Sequence, residues 1–82
     1  MITVKAEQEH YCLVTDGAVW TVVERRAGKY YPLGQCPRPG VTLDEPGAAS
    51  LFREGWCLSE PAARSLLVAV ASEWRELFEH LR

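Results

Sequence analysis

The fold is decided by the last quarter of the chain, SEPAARSLLVAVASEWRELFEHLR, which covers residues 59–82. Its apolar residues return every three or four positions: Ala63, Leu66, Leu67, Val70, Ala71, Trp74, Leu77, Phe78 and Leu81. On a helical wheel of about 100° per residue they form one broad stripe. Ser59 stands where an N-cap belongs, and Pro61 suits a first helical turn. The stretch therefore predicts one long amphipathic helix with a core-facing side.

A narrower pattern lies within the stripe. Spacings of four and three alternate along Ala63, Leu67, Val70, Trp74, Leu77 and Leu81. Such alternation is typical of a coiled-coil seam, although fewer than three heptads are present. Two interpretations stay open: a helix that packs on a sheet of its own chain, and a helix that pairs with a second copy. Trp74 is a candidate interaction residue on the second interpretation.

The first 34 residues predict antiparallel strands over 2–6, 10–15, 18–25 and 29–33. Pro32 lacks an N–H, so the fourth strand is expected to be short or at an edge. The middle of the chain, residues 35–58, predicts a loop and a short helix over about 45–54, with Asp44 as its N-cap. The expected fold is α+β: a three- or four-stranded β-meander (2–34) packed against the C-terminal helix (59–82). Residues 1–82 form a single domain on this prediction.

The dipeptide Asp16-Gly17 predicts a two-residue type I′ hairpin turn, because both residues of that turn need a positive φ. The turn would place Leu13 opposite Trp20 and so assign the strand residues to faces. The face expected to receive the helix carries Tyr11, Leu13, Trp20 and Val22, joined by Tyr31 and Leu33. The other face carries Cys12, Val14, Val19 and Val23.

This second face is also apolar, so it needs a cover, either the middle segment or another subunit. Val14, Val19 and Val23 are therefore candidate interaction residues of a homodimer. Trp56, beside Gly55 in a predicted connection, is a further candidate for a partner surface.

The candidate for thiol chemistry is Cys36, in the string Cys36-Pro37-Arg38-Pro39. Arg38 would lower the pKa of a neighbouring thiol. The string resembles the Cys-Pro-x-Pro motif of the small sulfur-carrier proteins that pass persulfide sulfur to tRNA-thiolation enzymes. The resemblance covers four residues; in that family the motif lies near the N-terminus and leads into a helix. It implies a sulfur carrier or redox protein with Cys36 as the reactive group.

Composition and spacing disfavour several other classes. A net charge of −2 argues against nucleic-acid and anionic-membrane partners. The cysteines and histidines show no paired spacing of a zinc site, and the acids lie at predicted turns, caps and the polar helix face. No catalytic residues, metal or cofactor are therefore expected. The chain start lacks the pattern of a signal peptide and the cysteines form no disulfide framework, which predicts a cytoplasmic protein of bacterial style.

The sequence thus predicts a small non-enzymatic protein-interaction module that binds a protein partner, with homodimerisation as one form of that binding. Two alternatives stay open. The first is the thiol-dependent carrier or redox protein that uses Cys36. The second is a small-molecule-binding module that uses the aromatic sheet face.

Overall fold

The computed structural model describes residues 2–33, 40–44, 46–54 and 57–80, and the side chains at 46, 53, 54 and 74–80 lie outside that description. Four strands come first: β1 Thr3–Gln8, β2 Tyr11–Thr15, β3 Trp20–Arg26 and β4 Lys29–Pro32. A 3₁₀ turn, Pro46–Ala49, then leads directly into α1, Ser50–Glu54. The last element is the long helix α2, Glu60–His80.

The strands form one antiparallel sheet in the order β1-β2-β3-β4, so neighbours in sequence are neighbours in space. Each strand lies within one or two residues of its predicted position. Helix α2 packs on one sheet face, and the middle segment packs on the other. The predicted α+β fold, a meander against a long C-terminal helix with a short middle helix, is confirmed.

The turn between β2 and β3 differs from the predicted one. Thr15 pairs with Trp20, so four residues separate the strands instead of two. Within residues 16–19, all of which the structure describes, Gly17 alone has a positive φ, 105°. The carboxylate of Asp16 accepts hydrogen bonds from the backbone N–H groups of Ala18, at 2.8 Å, and Val19, at 3.0 Å. Because these side-chain bonds close a wider loop, the prediction of a type I′ turn here is wrong.

The different turn leaves the predicted faces unchanged. Leu13 pairs with Val22 and not with Trp20, which shifts the pairing by two residues. Strand side chains alternate between faces with a period of two, so an even shift keeps each of them on its original side. The assignment of β2 and β3 residues to faces is therefore confirmed, although the predicted cross-strand pairs are not.

A two-residue turn with positive φ at both positions does occur, between β3 and β4. Arg26 pairs with Lys29 across Ala27-Gly28. The φ angles are 51° at Ala27 and 79° at Gly28. An alanine in the left-handed region costs roughly 1–2 kcal/mol, so the tip of this hairpin is strained.

The sheet is buried on both faces. The cluster on the α2 face contains the buried residues Leu13, Val22, Ala63 and Leu67. The cluster on the opposite face contains Cys12, Val14, Val23, Leu51 and Phe52. Leu51 and Phe52 belong to α1, so the chain supplies its own cover for the second face.

Helix α2 starts as the sequence predicts. The carbonyl of Ser59 accepts the N–H of Ala63 at 2.9 Å, and its hydroxyl lies 3.5 Å from the N–H of Ala62, a long capping contact. Ala63, Leu67 and Ala71 are buried, whereas Val68, outside the predicted stripe, is 53% exposed. Among the described residues, no helix is both long enough and apolar enough to cross a membrane.

Candidate functional site

The three valines predicted as an interaction surface lie beneath the middle segment. Val14 and Val23 have no exposed surface, and the half-buried Val19 packs against the same cluster. A fully buried side chain cannot contact a second subunit while its cover is in place. The structure thus places Val14 and Val23 in the core beneath Leu51 and Phe52, and the interaction role of the three valines stays a prediction.

This cover is a defined unit, which we call the strap: residues 40–44 and 46–54. Its first end is fixed to β4, where Tyr30 and Val41 exchange two backbone hydrogen bonds of 2.8 and 3.1 Å. Just beyond its other end, Leu58 and Trp20 exchange a similar pair of 2.8 and 3.1 Å. Between the two bridges, Leu51 and Phe52 anchor the strap to the sheet.

Glycine is required where the strap begins. A Cβ atom on Gly40 would lie 2.5 Å from Cβ of Lys29 and 2.7 Å from Cζ of the Tyr31 ring. Contacts this short do not occur in well-packed proteins. The backbone of the strap thus passes against the β3–β4 hairpin at a distance that only glycine permits.

Two polar groups are buried on the strap side of the sheet. Thr21 pairs with Val14 in the register and is 1% exposed, and its hydroxyl has no hydrogen-bond partner among the described residues. The thiol of Cys12 is fully buried. Burial raises its pKa, and the charge of Glu7 adds to this effect, while Arg25 opposes it. Both groups are poorly solvated while the strap is closed, and the raised pKa keeps the Cys12 thiol protonated.

The described thiols are placed differently from one another. Cys12 is buried, whereas Cys57 is exposed and donates its S–H to the carbonyl of Phe52 at 3.1 Å. Cys36 and Arg38, the predicted reactive thiol and its neighbour, lie outside the described residues, so that role stays a prediction. No three His, Cys, Asp or Glu side chains of the described part of the chain gather in a way that would hold a metal ion.

Two of the predicted interaction residues also remain predictions. Trp56 lies outside the described residues. The structure places Trp74 in the backbone of α2 and describes nothing of its side chain. The aromatic face proposed for a small molecule is packed under α2, where Leu13 and Val22 are buried and Arg64 lies 5.8 Å from the ring centroid of Trp20.

Both edges of the sheet carry features that discourage pairing with another chain. The register of β1 shifts between Val4 and Ala6, which marks a β-bulge at the exposed Lys5. At the other edge, β4 is short, ends at Pro32 and is bridged by Val41. Bulges, lysine, proline and covering segments are the usual means by which edge strands avoid association.

Both arginines of the β3–β4 hairpin are paired with acids. Arg25 lies 2.6 Å from Glu7, and Arg26 lies 3.0 Å from Glu24. Arg26 also stacks over the ring of Tyr31, at 4.3 Å from its centroid. Exposed pairs of this kind contribute about 0–1 kcal/mol each.

Three features of this region were missed by sequence reasoning. They are the hydroxyl of Thr21, which has no partner in the described part of the chain, the contact between Cys57 and Phe52, and the two single bridges that flank the strap. Each depends on which segments meet in space. The sequence offers no periodic or local signal for any of them.

No protein-family model, curated protein or solved structure matches this chain. The contacts of the chain itself are therefore the basis for inferring its function.

Proposed function

We propose that this protein is a non-enzymatic protein-interaction module that self-associates through the second half of α2. The observation that carries the proposal is the apolar four-three series of this helix, which runs from Ala63 to Leu81 in the sequence. The helix backbone extends to His80, about 13 Å beyond Ala71 at about 1.5 Å per residue.

The sequence of this second half continues the pattern of the first. Ala63 and Leu67 of the four-three series pack on the sheet, and the same series goes on through Trp74, Leu77 and Leu81. Helices commonly bind one another through residues at this spacing, and tryptophan and leucine bury large areas when they do. The continued series supports a role for the second half in packing against another helix.

Other routes to association are less well supported. Both faces of the sheet are covered within the chain, and both edges carry protective features. Association through the second half of α2 would leave the strap in place on the opposite face. The helix is therefore the element that best fits a partner.

A second copy of the chain fits this element best. A two-fold symmetric interface brings the same surface of each subunit together, so that surface must complement itself. The second half of α2 contains charges of both signs, including Arg75, Glu76 and Glu79, beside its apolar series. An antiparallel pair of helices would place the acids of one copy near the arginine of the other.

We place the protein in the cytoplasm as part of this proposal. The described cysteines, Cys12 and Cys57, are both free thiols. Free thiols persist in reducing compartments, whereas secreted proteins of this size usually rely on disulfides. Their state supports an intracellular role for the module.

The experiment is light scattering over a concentration series, with a reducing agent present. A symmetric dimer of two 9.2 kDa chains would have a mass of about 18 kDa. Leu77→Glu should return the mass to 9.2 kDa, because a carboxylate in the helix interface would lose its hydration. Val68→Glu is the matched control on the same helix; Val68 is 53% exposed, so its replacement should leave the dimer intact.

Two outcomes would contradict the proposal. One is a wild-type protein that stays at the monomer mass at every concentration. The other is a Leu77→Glu variant that still dimerises while its circular dichroism matches that of the wild type. The second outcome would show a dimer that uses another surface.

A further inference from the structure

We infer that the strap opens as a unit while the sheet and α2 stay folded, and that this opening exposes the sheet face that carries Cys12. In the closed state, Cys12, Val14 and Val23 are buried beneath Leu51 and Phe52. The open state would present an apolar surface and a thiol that the closed state hides. The strap would then act as a reversible cover built into the fold.

The internal structure of the strap cannot hold it in place by itself. Helix α1 has five residues and is preceded by a single 3₁₀ turn. Isolated helices shorter than about 12 residues are marginal in water, because nucleation is costly. The strap therefore keeps its shape only while its apolar residues, which are Val41, Leu43, Leu51 and Phe52, are packed on the sheet.

The attachments of the strap are also sparse compared with the rest of the sheet. Each flanking bridge is a single residue pair, Tyr30 with Val41 and Trp20 with Leu58. By contrast, β2 and β3 are joined by five consecutive pairs. Segments with few anchors and isolated hydrogen bonds are those that open at the lowest free energy in native proteins.

The buried polar groups beneath the strap favour opening. The hydroxyl of Thr21 has no hydrogen-bond partner among the described residues, and water would supply one in the open state. The Cys12 thiol, whose pKa is raised by burial, would regain its ordinary acidity on contact with water. On the α2 face, burial also raises the pKa of the half-buried Tyr11, but the buried hydroxyl of Thr15 is hydrogen-bonded to the Val19 carbonyl and the Gly17 N–H.

The test measures how fast a buried thiol reacts with an aromatic disulfide reagent on each side of the sheet. The first protein carries Cys36→Ser and Cys57→Ser, so that Cys12 is its single thiol. The second also carries Cys12→Val and Ala71→Cys, which puts the single thiol on α2, at a position 1% exposed. We expect Cys12 to react at least tenfold faster than the thiol at position 71, with a weaker dependence on urea.

Two substitutions then separate local opening from global unfolding. Leu67→Val weakens contacts that remain in the open state, so it should speed labelling at position 71 about tenfold and leave Cys12 unchanged. Phe52→Leu weakens contacts that opening breaks, so it should speed the labelling of Cys12 about tenfold. Both changes are mild, which keeps the variants folded.

Equal labelling rates at the two positions, with equal urea dependence, would overturn the inference. So would a Leu67→Val variant in which both thiols speed up by the same factor, or a Phe52→Leu variant in which Cys12 is unaffected. Opening of the strap is a property of the single chain, so these outcomes do not depend on whether the protein dimerises through α2.

Discussion

Both faces of the sheet are apolar and must be buried, but they are covered in different ways. On one face, α2 contributes Ala63, Leu66, Leu67 and Val70, all from one continuous helix. On the other, the strap contributes a five-residue helix and two backbone bridges. Both covers bury their central sheet residues completely, since Leu13 and Val14 are each 0% exposed. Burial alone therefore does not measure how firmly a cover is held; the number and continuity of its attachments also matter.

The largest expected effects come from removing the central leucine of each cover. Leu51 is 0% exposed and Leu67 is 2% exposed, so Leu51→Ala and Leu67→Ala should each lower the free energy of unfolding by about 2–5 kcal/mol. Urea denaturation followed by circular dichroism measures both. In a domain of this size, Leu67→Ala should come close to abolishing the fold.

The two leucine variants should also differ in kind. When the strap of the Leu51→Ala variant is released, most of the helical circular dichroism signal should remain. The strap contributes few helical residues, and α2 contributes most of them. A loss below about 1 kcal/mol at either position would mean that the cover concerned is not packed as described.

The next largest effect is expected at the start of the strap. Gly40→Ala introduces a Cβ atom 2.5 Å from Cβ of Lys29, so the strap or the hairpin must move, at about 1–3 kcal/mol. Gly47→Ala is the matched control, since its Cβ would meet Val41 at an ordinary 3.8 Å. Thermal unfolding compares the two. Equal melting temperatures would show that the strap does not pass so close to the hairpin.

A stabilising change is expected beneath the strap. Thr21→Val replaces a buried hydroxyl, for which the described ranges contain no hydrogen-bond partner, with a methyl group of similar volume. It should raise the free energy of unfolding by about 1 kcal/mol. Thr15→Val is the comparison: the Thr15 hydroxyl donates to the Val19 carbonyl at 2.7 Å and accepts the Gly17 N–H at 3.0 Å. It should destabilise by a similar amount. In urea denaturation, the same substitution should therefore raise the free energy of unfolding at position 21 and lower it at position 15.

The smallest effect is a pH dependence in the β2–β3 loop, which carries Val19 to the strap side. The N–H groups of Val19 and Ala18 donate to Asp16 and hold its pKa below the ordinary value. A lowered folded pKa stabilises the fold above about pH 4, and this contribution is lost as the pH falls through the folded pKa. Asp16→Ala should therefore destabilise the protein more at neutral pH than at about pH 3. A gap between variant and wild type that does not change with pH would contradict this account.

The parts of the fold that could be predicted from the sequence are those that depend on the regular spacing of apolar residues. The α2 stripe and the two sheet faces follow from spacings of three to four and of two. A face assignment based on these spacings stays correct when the turn is misplaced by two residues, as it does for Leu13 and Val14. The turn itself was not predictable, because the side chain of Asp16 bonds to two backbone N–H groups and closes a four-residue loop.

The candidate site was less predictable for a different physical reason. An apolar sheet face can be satisfied by any apolar cover, so the valines were compatible with both a partner subunit and the middle segment. The choice depends on whether Leu51 and Phe52 reach the sheet, and that depends on two bridges that involve single residues. The roles proposed for Cys36, Arg38 and Trp56 fall outside the described residues and stay predictions.

The pairing of β2 with β3 sets a rule for how these two strands can slip against each other. A slip of two residues keeps every side chain on its own face, whereas a slip of one residue would carry Leu13 and Val14 to opposite sides relative to β3. The loop itself can change in length by one residue without this consequence, because hairpin loops of about three to five residues all keep their strands paired. A library of loop lengths should therefore contain folded members at odd and even lengths alike, whereas a shift of the β3 sequence by one residue should abolish folding.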